Sequence, residues 1–211
     1  MNYIYIKCIK RLIDFILSLL GFILFSWLYI IIIIAIKLNS KGPVFFIQKR
    51  IGKNKKEFNI IKFRTMKSDT PQNVPTHLLE NPEYYITAVG KLLRKTSLDE
   101  IPQLFNIIKG DMSLVGPRPA LWNQYDLIKE RDKYGGNSLR PGITGWAQVN
   151  GRDEIPIEVK ASLDGIYVSK VSLIFDLKCV IKTIRCVIKR EGVREGIQEE
   201  GHYEKSSGNW C

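Results

Sequence analysis

The sequence predicts a mixed α/β fold: a mostly helical domain with a β-hairpin and short strands, preceded by an N-terminal membrane helix that re-enters the face it came from. Three observations predict it. Phe15 to Ile36 carries no charge and is long enough to cross roughly 30 Å of hydrocarbon. Basic residues flank that stretch on both sides, Lys7, Lys10 and Arg11 before it and Lys37, Lys41, Lys49 and Arg50 after it, so both ends favour the same face. Beyond it, two aromatic-rich runs around a basic turn give way to segments of helical periodicity punctuated by Gly and Pro.

The membrane segment runs into Lys37 to Lys41 where a cleaved signal would show small residues, so it is read as retained. Its bend is expected near its middle, at Ser26, because a serine that bonds back to the preceding turn bends a helix weakly. Pro43 opens the run Val44 to Arg50, and Glu57 to Met66 forms the second arm of a hairpin around Gly52 to Lys56. Residues 68–83, rich in Pro, Asn and Thr, read as a mobile loop. From Glu83 to Met112 the pattern gives two helices meeting between Thr96 and Asp99, with Gly110 stopping the second. A helix over Ala120 to Tyr134 follows, then a turn-rich stretch from Leu139 to Asp153 of loop or short strands. Val171 to Arg190 is helical again, with Ile174, Leu177, Ile181, Ile184 and Ile188 on one face and Lys178, Lys182, Arg185 and Lys189 on another. That helix packs either on a core or, as a basic amphipathic helix, at a lipid interface. The chain therefore divides into a membrane-inserted part (1–41), a folded domain (42–192) and a polar tail (193–211).

With 32 basic residues against 21 acidic ones, the net charge of +11 favours a polyanionic partner: nucleic acid, an anionic bilayer or a phosphorylated small molecule. Cys8, Cys179, Cys186 and Cys211 contain no C-x-x-C pair, which excludes a zinc knuckle or disulfide framework and fits a reducing compartment. Two histidines, His77 and His202, exclude a histidine-based metal site, so any metal is held by oxygens.

Asp99 and Glu100 open an otherwise apolar run that continues to Ile108. Ser97 followed by Glu100 is a capping-box pattern, and carboxylates suit a positive helix start, so an ordinary helix beginning is one reading. Reactive acids are the other. The balance is shifted by arginines in stiff backbone: Arg118 between Pro117 and Pro119, Arg140 before Pro141, and Arg152 after Asn150-Gly151. Arg64 ends the hairpin and Arg94 precedes the acids. Each alone is commonly a surface residue; around one acid pair they suit phosphate, which arginine grips with two donors at once. A carboxylate beside bound phosphate can attack phosphorus, forming an acyl phosphate. Carboxylate and phosphate repel by about 4 kcal/mol per unit pair at about 4 Å and an effective dielectric of about 20, so a divalent cation is expected, and Mg2+ suits oxygen donors.

The runs SLDEIPQLFNIIKGDMSLVGPRP and RPGITGWAQVNGR, together with KFRTM and the Asp176-Leu177-Lys178 triplet, resemble the bacterial sugar transferases, the small monotopic phosphoglycosyl transferases, over Lys10 to about Arg190. The resemblance implies transfer of a sugar-1-phosphate from a UDP-sugar to undecaprenyl or another polyprenol phosphate, with UMP released, at the cytoplasmic face of the inner (plasma) membrane. It implies Asp99 as the nucleophile and the Mg2+ ligand, Glu100 as its assistant, Arg94, Arg118 and Arg152 as holders of phosphate, and the Pro117-Arg118-Pro119 and Asn150-Gly151-Arg152 segments near the nucleotide; Arg64 and Arg140 join the substrate-binding set on the reading of the residues above. The implied partners are donor, acceptor and bilayer, with no nucleic acid and a homodimer left open. One departure stands out: the family bends its membrane helix at Ser-Pro, where this chain has Ser26-Trp27. Two other classes compete, a tethered nucleic-acid binder stacking bases on Trp146 and Phe63, and a structural protein whose acids only cap a helix.

Overall fold

The computed structural model describes residues 4–71, 81–151 and 155–189. A π-helical turn at Tyr5–Ile9 leads into α1 (Lys10–Leu24), which breaks at Phe25 (φ −92°, ψ 5°) and resumes as α2 (Ser26–Asn39). No single helix among the described residues is long and apolar enough to cross a membrane, but this pair, bent by 60°, passes the test of length and composition together. The bend lies one residue before Ser26 and needs no proline. Phe25 N–H still bonds to the Gly21 carbonyl, while the N–H groups of Leu28 and Tyr29 share the Phe25 carbonyl.

β1 (Phe45–Ile51) and β2 (Glu57–Phe63) pair antiparallel, with Phe45 opposite Phe63 and Phe46 opposite Lys62. Asn54 and Lys55 turn the hairpin in the left-handed region, as a tight basic turn requires. Side chains alternate along a strand, so Phe58, Ile60 and Lys62 share one face of β2. The short α3 (Pro82–Tyr85) precedes α4 (Ala88–Lys95), whose first turn is capped by the Thr87 hydroxyl accepting from Gly90 N–H at 2.9 Å. α5 (Gln103–Lys109) ends at Gly110 in the left-handed conformation (φ 100°), as expected of that glycine.

β3 (Ser113–Val115) pairs parallel with β4 (Gly142–Thr144) across α6 (Tyr125–Lys133), and α7 (Ile157–Lys170) and α8 (Leu173–Lys189) complete the fold. Backbones nearly touch where the two glycine-rich motifs cross. A Cβ on Gly142 would lie 2.2 Å from Gly116 N, and one on Gly116 would lie 2.4 Å from the Arg140 carbonyl oxygen. Only glycine fits either position.

The helix expected from Ala120 begins at Tyr125. Ile51 N–H bonds to the Ala120 carbonyl and Gln124 Oε1 accepts from Leu121 N–H, so the chain after the GPRP motif extends β1's edge instead. The loop expected over 68–83 ends in α3, and its residues 72–80 lie outside the described ones, as does the tail. α7 is a helix whose apolar residues are spread around its axis, leaving little periodic signal in the sequence.

α8 turns Asp176 and Cys179 inward, whereas Ile174 (81% exposed) and Ile188 (74%) face outward with Leu177, Ile181 and Ile184. Of its two readings, the outward apolar stripe excludes core packing for that face. The inward side is lashed to the N-terminus: Asp176 accepts from Lys10 Nζ at 2.6 Å, Tyr5 Oη at 2.7 Å and Tyr167 Oη at 2.6 Å. Asp14 on α1 accepts from Ser113 Oγ and Leu114 N–H, and Arg11 donates to the carbonyls of Ile107 and Ile108 at the end of α5. The bent pair is thereby bolted to the domain at α5, β3 and α8.

Candidate active site

α4 stops because Ser97 takes a left-handed conformation (φ 56°, ψ 17°), which reverses the chain into a single 3-10 turn at Leu98–Glu100. No side-chain cap bond forms on that turn or on α5, whose first flanking residue is Pro102. The capping box is therefore not made, and the acids do not serve α5 as caps.

Two contacts fix the turn. Tyr29 of α2 donates its hydroxyl to the Ile101 carbonyl at 2.8 Å, so the bent helix pair holds the residue that follows the acids. Asn106 of α5 donates Nδ2–H to the Asn59 carbonyl at 2.8 Å and accepts from Ile61 N–H at 3.0 Å. Its amide stands in for a third strand at the free edge of β2 and locks α5 against the hairpin.

That docking brings Lys62 to the acids. Lys62 Nζ lies 2.6 Å from Glu100 Oε1, and Arg118 Nη2 lies 3.5 Å from the same oxygen, with the Glu100 side chain 13% exposed. Glu100 is clamped between two cations. Asp99 instead lines a cavity of about 420 Å³ together with Lys62, Arg64, Arg94, Phe45 and Met66. Burial raises its carboxyl above the ordinary value, Lys62 opposes that, the neighbouring Glu100 adds to it, and Arg94 and Arg118 pull it back. Burial likewise lowers the Lys62 ammonium, against the attraction of Glu100. An acid facing the cavity and ringed by cations can accept a phosphate that it would otherwise repel.

The predicted arginines separate into groups. Arg94 lines the cavity from the last turn of α4, and Arg118 stands behind Glu100. Arg118 is aimed by its own backbone: Gly142 N–H bonds to the Pro117 carbonyl, Arg131 Nη1 to the Arg118 carbonyl and Arg50 Nη1 to the Pro119 carbonyl. Pro117 and Pro119 thus act through posture. Arg64 reaches the cavity wall, but its guanidinium is spent on Lys41 O, Ser40 O, Ser40 Oγ and Ser68 Oγ, which tie the end of α2 to the hairpin. Arg140 donates Nε–H to the Gly110 carbonyl at the opposite end of α5 from the acids. Arg152 lies outside the described residues.

Lys62 is the site residue that the sequence reading passed over. Its signal was the alternation Phe58, Ile60, Lys62, which puts a lysine in an inward slot. Arg131 gave none, since only the fold pairs it with Asp164 (Nε to Oδ2, 2.7 Å) and so fixes Arg118 from behind. Trp146 packs on Phe175 with centroids 4.8 Å apart and lies under Lys178 and Lys182, so its ring is already in use, against its proposed role as a stacking platform.

No group of three metal-ligating side chains exists among the described residues. Among the described residues Asp99 is the one that offers a carboxylate to the cavity, a donor set that suits Mg2+, which takes one or two carboxylates and completes its shell with phosphate and water oxygens.

Comparison with known proteins falls on the same residues. The family model described as bacterial sugar transferase matches residues 5–190. The chain is 41% identical over 92% of its length to an uncharacterized sugar transferase, EpsL, of Bacillus subtilis (strain 168), covering 92% of that protein. It is 39% identical over 88% of its length to a UDP-N-acetylgalactosamine-undecaprenyl-phosphate N-acetylgalactosaminephosphotransferase of Aeromonas hydrophila, and 40% identical over 84% to a UDP-glucose:undecaprenyl-phosphate glucose-1-phosphate transferase of Escherichia coli (strain K12). Of these two longer proteins it spans 45% and 40%. The match runs from the first turn of the bent helix pair to the end of α8 and includes the acids, the hairpin and both glycine-rich motifs; the chain belongs to the bacterial sugar transferase family.

Proposed function

We propose that the protein transfers a sugar-1-phosphate from a UDP-sugar to undecaprenyl or a similar polyprenol phosphate at a membrane face, releasing UMP and starting a surface glycan. The observation that carries this reading is Asp99 on the wall of a cavity lined also by Lys62, Arg64 and Arg94, with Arg118 close enough behind Glu100 to act on the Asp99 charge. The printed activities of the Aeromonas and Escherichia relatives supply the substrate classes.

The reaction divides into two displacements at phosphorus. An Asp99 carboxylate oxygen supplies the electron pair for a bond to the sugar-bearing phosphorus, and the bond from that phosphorus to the bridging oxygen breaks, so UMP leaves with the electrons. An oxygen of the acceptor phosphate then attacks the same phosphorus, the aspartyl oxygen leaves as carboxylate, and the lipid carries off a diphosphate-linked sugar. No net proton is consumed. Arg94 and Arg118 hold the phosphate charge, and Lys62 holds Glu100 so that a second carboxylate does not swing into the site. Asp99 would hold Mg2+, which supplies charge neutralisation when bound. The bent α1–α2 pair is the anchor, with both ends at the cytoplasmic face.

The test is UMP release from a panel of UDP-sugars with undecaprenyl phosphate and Mg2+, in wild type and Asp99→Ala, with intact mass measured after donor alone. Release that depends on Asp99, and a mass gain of one phosphosugar localised to its peptide, are expected. Release by Asp99→Ala at the wild-type rate overturns the reading.

A further inference from the structure

An acceptor of the proposed class has a charged head and a long apolar tail, and its head must reach Asp99 while its tail stays out of water. The wall of the Asp99 cavity has an apolar part suited to that division: Phe45 and Ile47 lie on one face of β1, alternate along the strand, and are 39% and 56% exposed. Their positions across the hairpin are Phe63 and Ile61.

This face is continuous with the membrane helices through touching rings. Phe22 of α1 meets Tyr29 of α2 edge-on at 5.3 Å between centroids, Tyr29 meets Phe63 at 5.4 Å, and Phe63 stacks on Phe45 at 5.5 Å. The aromatic line starts in the helix pair read as bilayer-inserted and ends at the cavity that Asp99 shares. The same Tyr29 donates its hydroxyl to Ile101 beside the acids, so the line and the reactive turn are one rigid unit. An exposed apolar strand face that adjoins both a lipid-immersed helix and a phosphate site has little use for a soluble ligand.

Resting on the proposed function, we infer that Phe45 and Ile47 form the seat of the acceptor's isoprenoid chain, which leaves the bilayer along α2 and crosses the β1 face, placing its phosphate at Asp99. The chain is selected by its apolar length and not by base-pair or sugar contacts. Donor and acceptor then approach Asp99 over different walls, the donor's phosphates by Arg94 and the acceptor's tail by β1.

The experiment has two arms on the full chain in lipid nanodiscs. In the first, undecaprenyl phosphate carrying a photoreactive diazirine in an isoprene unit near the head is irradiated with wild type without any donor, and the labelled peptide is mapped. Label on residues 45–47 is expected; label confined to α1 or α8 overturns the seat. This arm reads binding alone, so it stands even where no sugar is transferred, and absence of UMP release then counts against the proposed function only. In the second, Ile47→Ser and Phe45→Ser are compared for undecaprenyl phosphate against a two-isoprene acceptor phosphate. A KM for the long acceptor raised at least tenfold, with kcat within threefold and a smaller rise for the short one, is expected. An unchanged KM, an equal rise for both acceptors, or release of the variants from membranes on flotation overturns it, the last by showing that the patch only anchors. Ile47 stacks on no ring, so its variant answers the question if loss of the Phe45–Phe63 stack unfolds the other.

Discussion

Two acidic centres of this molecule, Asp176 and Asp99, are built to opposite rules. Asp176 accepts from Tyr5, Lys10 and Tyr167 and is 7% exposed, so its charge is buried and answered by donors on three elements. Asp99 is steadied by the nearby charges of Lys62, Arg94 and Arg118, and it borders a cavity with space for a ligand. A buried carboxylate saturated with donors holds elements together, because removing a partner leaves an uncompensated charge. A carboxylate left open beside cations stores a site for an anion. Both belong to motifs quoted for the family resemblance, and only their surroundings tell them apart.

Substitutions test that contrast, beginning with the largest effect. Asp99→Asn keeps the shape but loses the nucleophile, so UMP release should fall by about 10⁴-fold or more, with the melting temperature in detergent moved little. A melting temperature collapsed like that of an Asp176 variant would place Asp99 in the structural class. Asp176→Asn should do the reverse, costing about 3 kcal/mol as buried Lys10 loses its 2.6 Å ion pair and keeps only Asp14 at 3.9 Å, read as earlier unfolding in urea, while the surviving folded fraction keeps its kcat. Lys62→Met should lower kcat by about 10²-fold, the usual loss of one electrostatic contact in a site, and Lys62→Arg should recover part of it. Recovery of stability without activity would move Lys62 to the Asp176 side. Arg118→Ala should cost roughly tenfold or more in kcat/KM, as expected for a charge-assisted contact, and Arg140→Ala distinctly less, since Arg140 serves Gly110. Trp27→Pro should change stability by no more than about 0.5 kcal/mol, because Trp27 is 60% exposed and lies in the first turn of α2 where proline is tolerated. Loss of membrane retention in that variant would count against the re-entrant shape.

Much of the architecture was legible because it rests on local chemistry. The hairpin follows from alternation around a basic turn, Gly110 from the need for a left-handed stop, and the bent apolar pair from an uncharged run with basic residues at both ends. The helix start at Tyr125 was not legible, since Gln124 and Ile51 compete for the backbone groups that a helix from Ala120 would have used. The bend at Phe25 was misplaced by one residue for a similar reason: a backbone rearrangement with shared carbonyls makes it, and no residue type announces that. In the site, the acid pair and Arg118 stood out through unusual neighbours in the chain. Arg64 and Arg140 have the same chemistry, yet Arg64's guanidinium is held by Ser40, Lys41 and Ser68, and Arg140 turns its Nε–H to the Gly110 carbonyl at the far end of α5.

By itself the sequence determined which groups are present and the local backbone they prefer: an uncharged apolar run with basic flanks, a stiff GPRP arm, an acid pair where two helices meet. Tertiary structure decided which charges meet. Lys62 reaches Glu100 only because Asn106 docks α5 on β2, and Asp176 is silent only because Tyr5, Lys10 and Tyr167 converge on it. The physical reason is that a charge's role depends on the donors and solvent within a few ångströms, and those neighbours come from segments far apart along the chain.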